Sequence, residues 1–145
     1  MILVDVNLLV YAAVASAPEH KLAGPWLTAR LNGSAAVGLP WPVLLSFIRI
    51  VSHPRLFSSP VSLLTAWQEV ERWLDRPPVW VPQPTERHRE ILGDLLKQVA
   101  YRANLTSDAH LAALAIEHGL TLCTTDGDFA RFRGLRWENP LAAPI

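Results

Sequence analysis

The chain has 145 residues, which corresponds to one domain at about 100–200 residues per domain. Half of the residues are apolar and 18% are charged, a composition typical of a globular protein and not of a disordered or collagen-like one. Lysine and arginine number 13, as do aspartate and glutamate, which excludes a uniformly basic, histone-like binder. The single cysteine, Cys123, excludes an intrachain disulfide framework and a cysteine-based zinc site. We expect a single domain over residues 1–145, located in the cytoplasm and without a membrane-spanning segment.

Strands and helices are predicted to alternate along the whole chain. In chain order they are a strand at Ile2–Asp5, helices at Asn7–Ala15 and Glu19–Leu31, a strand at Ala35–Leu39, helices from Pro40 to Val51 and from the cap Ser62 to Leu74, a strand at Val79–Val81, helices at Thr85–Arg102 and Ser107–His118, a strand at Leu120–Thr124, a helical turn at Asp128–Phe132 and a strand at Leu135–Trp137. The strands are mostly apolar, which is typical of a parallel sheet covered by helices on both faces. The sequence therefore predicts an α/β fold with a short, mainly parallel central sheet.

Acidic residues stand at two of these strand ends, where sites form in parallel sheets. Asp5 closes the first strand. Asp126 and Asp128 follow the strand Leu120–Thr124. Each acid also has a structural interpretation, because Asp5 with Asn7 can cap the next helix and Asp128 can cap the following turn. For Asp5 alone, a helix cap and a site ligand are equally good interpretations.

A further acid, Asp108, falls in the first turn of a predicted helix. At helical spacing it shares a face with Leu111 and Ala115, and such an apolar face points at the core. An acid that only starts a helix normally points to solvent, and the positive end of the helix keeps this carboxylate ionised. The pattern therefore favours a functional role for Asp108.

Four carboxylates gathered in one place require a cation. The spacing of Asp126 and Asp128 around Gly127 lets two carboxylates converge, and one of them takes up a proton unless a cation lies between them. Mg²⁺ and Mn²⁺ prefer oxygen ligands, usually one or two carboxylates with waters and substrate phosphate. Setting the four acids aside leaves 13 basic against 9 acidic residues. A focused acidic site in a mildly basic body predicts a metal-dependent phosphodiesterase.

Several parts of the chain resemble the PIN domain, and more closely the VapC-type toxin ribonucleases of toxin–antitoxin systems. They are Val4-Asp5-Val6-Asn7, Pro40-Trp41 with Phe47-Ile48-Arg49, the segment from Asn104 to Ala115, and Thr124-Thr125-Asp126-Gly127-Asp128-Phe129. The resemblance implies a PIN-like three-layer α/β/α sandwich and an endoribonuclease in which water activated by Mg²⁺ or Mn²⁺ cleaves RNA. It also implies a cognate VapB-type antitoxin and a homodimer.

Site residues follow from the resemblance by position. The acids implied to bind metal and to carry catalysis are Asp5, Asp108, Asp126 and Asp128. The residues implied to orient ligands or waters are Asn7 and Thr124 or Thr125. Many relatives carry a glutamate in the third helix, where this chain has Ser46. That departure leaves open whether the site holds one metal ion or two.

Other polar residues have two interpretations each. Arg49, His53 and Arg55 form either an edge that contacts RNA or a solvated loop. His110 is the nearest candidate for a general base, although a structural role is favoured for it. The alternative to a nuclease is a catalytically weakened PIN-fold module that binds RNA or protein, for which Ser46 is the argument.

Overall fold

The computed structural model describes residues 1–143. The elements in that range are β1 (Ile2–Val4), α1 (Val6–Ala13), α2 (His20–Leu31), β2 (Val37–Gly38), α3 (Trp41–Val51), α4 (Leu63–Leu74), β3 (Val79–Trp80), α5 (His88–Gln98), α6 (Thr106–Glu117), β4 (Thr121–Cys123) and β5 (Trp137–Glu138). Two 3₁₀ turns, Ala103–Leu105 and Gly127–Arg131, precede α6 and follow β4. No helix within residues 1–143 combines the length and the apolar character needed to cross a membrane.

The strands form one parallel sheet in the order β3-β2-β1-β4-β5. β1 lies at the centre, where Ile2 pairs with Val37 on one side and with Thr121 on the other. Leu3 and Val4 are fully buried because helices cover both faces of the sheet. The parallel, doubly covered sheet predicted from the apolar strands is confirmed.

The helices divide between the two faces of the sheet. From β1 the chain steps outward to β2 and β3 through α1 to α4, and it returns through α5 and α6 to β4 on the opposite side of β1. Because crossovers between parallel strands are right-handed, steps in opposite directions place their helices on opposite faces. The packing agrees, since α1 contacts α2 and α3, α3 contacts α4, and α5 contacts α6. The result is the expected three-layer α/β/α sandwich.

Helix ends follow local signals in the sequence. The Ser62 hydroxyl accepts a hydrogen bond from the Thr65 N–H at 3.1 Å and so caps α4, as predicted. α3 begins directly after Pro40, with Pro42 in its first turn, where a missing N–H costs no helical hydrogen bond. Gly119 follows α6 with a φ of 66°, a conformation that favours glycine.

The main difference from the predicted elements is α5. The sequence predicts a helix over Thr85–Arg102, but α5 is shorter at both ends. At the start, the Thr85 N–H donates to a Glu117 carboxylate oxygen at 2.6 Å, which holds this residue in a turn. At the other end, Val99 leaves helical geometry with φ −127° and ψ 37°. Thr85 keeps a capping contact, since its Oγ1 accepts from the Arg87 N–H at 3.2 Å, but it stands in a turn before α5 that also contacts α6.

Gly38 in β2 is enclosed by its neighbours, and we expect Gly38→Ala to destabilise the fold. A Cβ there would lie 2.8 Å from Cγ of Pro82 and 3.3 Å from the carbonyl oxygen of Ile2. Overpacking of this kind costs about 1–3 kcal/mol in the free energy of unfolding, which urea denaturation measures. Gly93→Ala is the control, because a Cβ at that helical position meets nothing within 4 Å. Equal stability of the Gly38→Ala and wild-type chains would contradict the prediction.

Candidate active site

The site is built on the adjacent carboxyl ends of β1 and β4. The Asp5 N–H donates to the carbonyl oxygen of Cys123 at 3.0 Å, which extends the pairing of the two strands by one residue. The Asp5 side chain then caps α1, because its Oδ1 accepts from the Val6 N–H at 2.8 Å. Asp5 is only 6% exposed. It is therefore both a helix cap and a nearly buried carboxylate at the strand end.

Thr124 connects the polar groups around Asp5. Its Oγ1 is buried and donates to Oδ2 of Asp5 at 2.8 Å. The same Oγ1 accepts from Nδ2 of Asn7 at 3.2 Å and from the Asp126 N–H at 3.0 Å. Asn7 also donates to Oδ2 of Asp5 and accepts from the Thr125 N–H, both at 3.4 Å. The structure thus brings together the three residues expected to orient ligands, with Thr125 contributing its backbone.

Asp126 begins the 3₁₀ turn that follows β4. Its Oδ1 accepts from the Asp128 N–H at 2.9 Å. The structural interpretation of the sequence made Asp128 the cap of this turn, but the turn starts at Gly127, so Asp126 is the cap. Asp128 instead accepts from Nε of Arg131 at 3.2 Å.

Asp108 lies in the first turn of α6, half-buried. Its predicted neighbours on the helix face, Leu111 and Ala115, are buried in the core. This arrangement agrees with the apolar face inferred from the sequence and keeps the Asp108 carboxylate partly out of water.

The charges of the other three acids act on Asp108. Burial, and then the charges of Asp5, Asp126 and Asp128, raise the pKa of Asp108 to about 6. Burial also raises the pKa of Asp5, opposed by the hydrogen bond from Thr124 and assisted by the charge of Asp126. Because the negative charges disfavour one another, this edge of the sheet attracts a cation.

The donor set suits a cation that keeps much of its water. Over residues 1–143, no three side chains of His, Cys, Asp or Glu form a preassembled cage for a metal ion. Mg²⁺ and Mn²⁺ typically bind to one or two carboxylates and retain several waters. Carboxylate oxygens are the donors that such an ion prefers, so the chemistry of the acids suits a hard divalent cation, although the described residues offer no ready-made arrangement of three ligands.

The residues predicted to contact RNA are not joined to the acids. Arg49 is exposed in the last turn of α3, about 12 Å along the helix axis from its first residue, Trp41. In the following loop the Arg55 N–H donates to Nδ1 of His53 at 3.1 Å. In the part of the chain that the structure describes, none of the three forms an ion pair with an acid of the cluster. Ser46 is half-buried in the middle of α3.

His110 follows Asp108 by two residues but has different partners. Its Nδ1 lies 3.1 Å from Nε2 of His88. Nδ1 of His88 lies 2.6 Å from Oε2 of Glu117, whose side chain has no exposed surface. Burial, and then the charge of His88, lower the pKa of His110. This hydrogen-bonded chain ties α5 to α6 and agrees with the structural role favoured for His110.

The sequence of residues 2–135 matches the family model described as the PIN domain. The chain belongs to the PIN-domain family. The resemblance found in the acidic segments is thereby confirmed, and the parallel sandwich described above is the PIN fold of this chain.

Within the family, the similarity is to VapC proteins. This PIN domain is 42% identical to ribonuclease VapC37 of Mycobacterium tuberculosis, over 98% of this chain and 99% of that protein. It is 43% identical to ribonuclease VapC43 of the same organism, over 97% and 96% respectively. The fold matches VapBC2 from Rickettsia felis bound to promoter DNA, with a TM-score of 0.69 at 22% identity over 96% of this chain and 98% of that one. It also matches M. tuberculosis VapC20, a sarcin–ricin loop cleaving toxin, with a TM-score of 0.67 at 19% identity over 94% and 99%.

Sequence reasoning missed one side chain of this PIN domain that touches the cluster. Arg131 is the one basic residue in residues 1–143 that forms an ion pair with any of the four acids. The available signal is the spacing from Asp128, because residues three apart meet on one helical turn. A short 3₁₀ turn after β4 therefore places a cation beside the carboxylates.

Proposed function

We propose that the chain is a metal-dependent endoribonuclease that acts as the toxin of a toxin–antitoxin pair. The observation that best supports this function is the group of carboxylates at the carboxyl edge, whose mutual charge helps to raise the pKa of Asp108 to about 6. The VapC relatives, which span almost the whole chain, carry the name ribonuclease. The fold, the family and the charge of the site are thus all consistent with metal-dependent cleavage of RNA.

Asp5, Asp108 and Asp126 would hold Mg²⁺ or Mn²⁺, with Asp128 as an accessory acid. Bound there, the ion would supply Lewis-acid activation of water and neutralise the charge that develops on the phosphoryl oxygens. Thr124 and Asn7 both donate to Oδ2 of Asp5 and fix its carboxylate. Oδ1 accepts one hydrogen bond, so a lone pair remains for a ligand.

The protonation state of Asp108 sets a pH requirement. A protonated carboxyl is a poor ligand, and the pKa of Asp108 is about 6 without a cation. Binding of the metal ion therefore favours the ionised Asp108 carboxylate, and we expect the affinity for Mg²⁺ or Mn²⁺ to increase as the pH rises through 6. His110 does not serve as the general base in this proposal, because it is engaged with His88.

We further propose a VapB-type antitoxin as the protein partner. Trp41 stacks on Trp67 with ring centroids 6.3 Å apart, and both rings are partly exposed. Leu45 and Leu64 on the same two helices are more than half exposed. Such an apolar surface suits an amphipathic helix.

The homodimer implied by the resemblance remains a prediction, which size-exclusion chromatography with light scattering would test.

Cleavage of a structured RNA pool by the purified chain tests the nuclease. We expect cleavage with Mg²⁺ or Mn²⁺ and none with EDTA, and we expect Asp5→Asn to reduce the rate about 100-fold or more. Asparagine is also a good helix cap, so this variant separates the chemistry from the cap of α1. Asp75→Asn, at the exposed end of α4, is the matched control. A folded, partner-free chain that does not cleave RNA with either metal would overturn the proposal.

The second candidate is a PIN-fold binding module with weakened catalysis. Two observations favour it, namely Ser46 in α3 and the lack of a preassembled cage within residues 1–143. Thermal unfolding separates the candidates, because a ligand raises the unfolding temperature only of a protein that binds it. Stabilisation by Mn²⁺ in wild type that is lost in Asp5→Asn favours the nuclease, and no stabilisation favours the module.

A further inference from the structure

A fully exposed aromatic side chain lies just before the 3₁₀ turn that leads into α6, the helix that carries Asp108. Tyr101 lies between α5 and the 3₁₀ turn Ala103–Leu105 and has 100% of its surface in water. Arg102, also exposed, follows it directly. A side chain with no contact surface contributes nothing to the packing of the fold. The ring of Tyr101 is therefore available for a partner.

Two contacts bring further arginines to the same place. The Arg133 N–H donates to Oε1 of Gln98 at 2.8 Å, which joins the segment after β4 to the end of α5. Arg131, two residues earlier, donates to Asp128 at 3.2 Å. The side chains of Arg131 and Arg133 are exposed. The segment that pairs with Asp128 is therefore also joined to the end of α5, three residues before Tyr101.

The chain also connects this region directly to α6. From Arg102 it passes through the 3₁₀ turn into the first turn of α6, where Asp108 lies. That path covers about 10 Å at the rise of the two helix types. This is on the order of the length of three stacked nucleotides, at about 3.4 Å per base, and of fewer when the strand is unstacked.

We propose that Tyr101, Arg102, Arg131 and Arg133 form an aromatic–basic edge that holds single-stranded RNA beside the cleavage site. This inference rests on the proposed nuclease function and adds a substrate surface to it. Tyr101 stacks on a base, and the arginines contact the flanking phosphates. The Arg131 guanidinium contacts a phosphate of the RNA while it keeps its ion pair with Asp128.

The chemistry of the edge matches RNA better than a protein segment. A single strand offers a flat base and a phosphate in every repeat, which are the partners of an exposed ring and of guanidinium groups. An acidic peptide offers carboxylates for the arginines but no partner of that kind for the Tyr101 ring. The edge also contains a direct ion pair to the cluster, whereas Arg49, His53 and Arg55 have none in the described residues.

Binding of a fluorescein-labelled RNA of about 12 nucleotides, measured by anisotropy, tests the edge. The full chain carries Asp5→Asn to suppress cleavage, and Mg²⁺ is present. We expect Tyr101→Ala to weaken binding roughly 10-fold or more, and Tyr101→Phe to bind nearly as well as the parent, because stacking needs the ring and not the hydroxyl. Since Tyr101 is fully exposed, neither variant should alter the circular dichroism spectrum.

Salt dependence tests the arginines separately. For single strands, each phosphate contact contributes about 0.7 to the slope of log K against log salt concentration. Arg133→Gln and Arg131→Gln should each lower that slope by about this amount. Arg89→Gln is the matched control, because Arg89 is exposed in the first turn of α5, about 14 Å along the helix from Gln98.

The outcomes distinguish this inference from the proposed function. Metal-dependent cleavage by the wild-type chain, together with unchanged binding in Tyr101→Ala and Arg133→Gln, would overturn the edge and leave the nuclease standing. Equal losses in Tyr101→Phe and Tyr101→Ala would overturn stacking. A wild-type chain that neither cleaves nor binds RNA would overturn both proposals. If these variants weaken binding of a VapB-type protein and not of RNA, the edge is a protein surface and the inference is wrong.

Discussion

Replacing Asp108 by asparagine should stabilise the metal-free protein at neutral pH while strongly reducing RNA cleavage. The pKa of Asp108 is raised to about 6, first by burial and then by the charges of Asp5, Asp126 and Asp128. The ionised carboxylate is therefore unfavourable in the folded chain when no cation is present. Asparagine removes that charge at nearly constant volume. We expect cleavage to fall about 100-fold or more, because a negative ligand is lost at the site.

The stabilisation has a defined pH dependence. The pKa of an aspartate is 3.8 in the reference state, and that of Asp108 is about 6 in the folded chain. Between these values the folded chain retains a proton that the unfolded chain has released, so the stability contributed by Asp108 is full below pH about 4 and lost as the pH rises through 6. Asp108→Asn should therefore gain about 1–2 kcal/mol over wild type above pH 6, after a discount for solvent screening.

Urea denaturation of both chains at pH 4.5 and pH 7.5, in EDTA, measures this effect. Asp94→Asn is the control, because Asp94 is exposed on α5 and pairs with Lys97 at 3.8 Å. Mg²⁺ or Mn²⁺ should remove the difference in the free energy of unfolding, because the metal stabilises wild type and not Asp108→Asn. A variant less stable than wild type at pH 7.5 without metal would contradict the prediction.

Replacing Thr124 by valine should damage both the fold and the site. Oγ1 of Thr124 donates to Asp5 and accepts from Asn7 and from the Asp126 N–H, and the residue has no exposed surface. Valine has the same shape without the hydroxyl, so a buried carboxylate loses a donor and an N–H loses its acceptor. A loss of about 3–5 kcal/mol in the free energy of unfolding follows from one charged and two neutral hydrogen bonds, because Nδ2 of Asn7 also loses this acceptor. The hydrogen bond from Thr124 lowers the pKa of Asp5, so its loss raises that pKa further.

Thr124→Ser is the matched control for this variant. Serine retains the hydroxyl and loses one methyl group, so we expect a loss of about 1 kcal/mol or less from the smaller buried volume. Cleavage by Thr124→Ser should stay close to wild type, whereas cleavage by Thr124→Val should fall at least tenfold at neutral pH. Equal stability of the two variants would show that the hydroxyl contributes nothing.

The sequence predicted the parallel sheet and the positions of Asp5 and Asp126 at its carboxyl edge, because these depend on rules that are local or topological. Apolar strands predict a parallel sheet, and carboxyl ends of parallel strands share an edge, which brings Asp5 and Asp126 together without any knowledge of distances. The hydrogen bonds that link Glu117, His88 and His110 could not be predicted in this way. Its hydrogen bonds join residues 29 and 22 positions apart. Nothing in the local pattern of a histidine or glutamate on a helix indicates a partner on the neighbouring helix.

Two details of the site were also beyond the sequence. Both Asp126 and Asp128 are compatible with capping the turn after β4, and the choice depends on where that turn starts. The shorter α5 has the same origin, because the carboxylate of Glu117 takes the Thr85 N–H only once α5 and α6 are packed. The ends of helices and turns, and the partners of their hydrogen bonds, thus depend on tertiary contacts that local helix propensity does not describe.

The central position of β1 has a consequence for protein synthesis. Asp5 and Thr124, whose side chains are joined by a 2.8 Å hydrogen bond, are 119 residues apart in the chain. A ribosome needs on the order of ten seconds to add that many residues. During this interval the nascent chain already contains Asp5 but lacks β4, Thr124 and Asp126. If the chain is a toxic nuclease, we expect no cleavage before β4 and the residues that follow it have been synthesised, and none by a product truncated before β4.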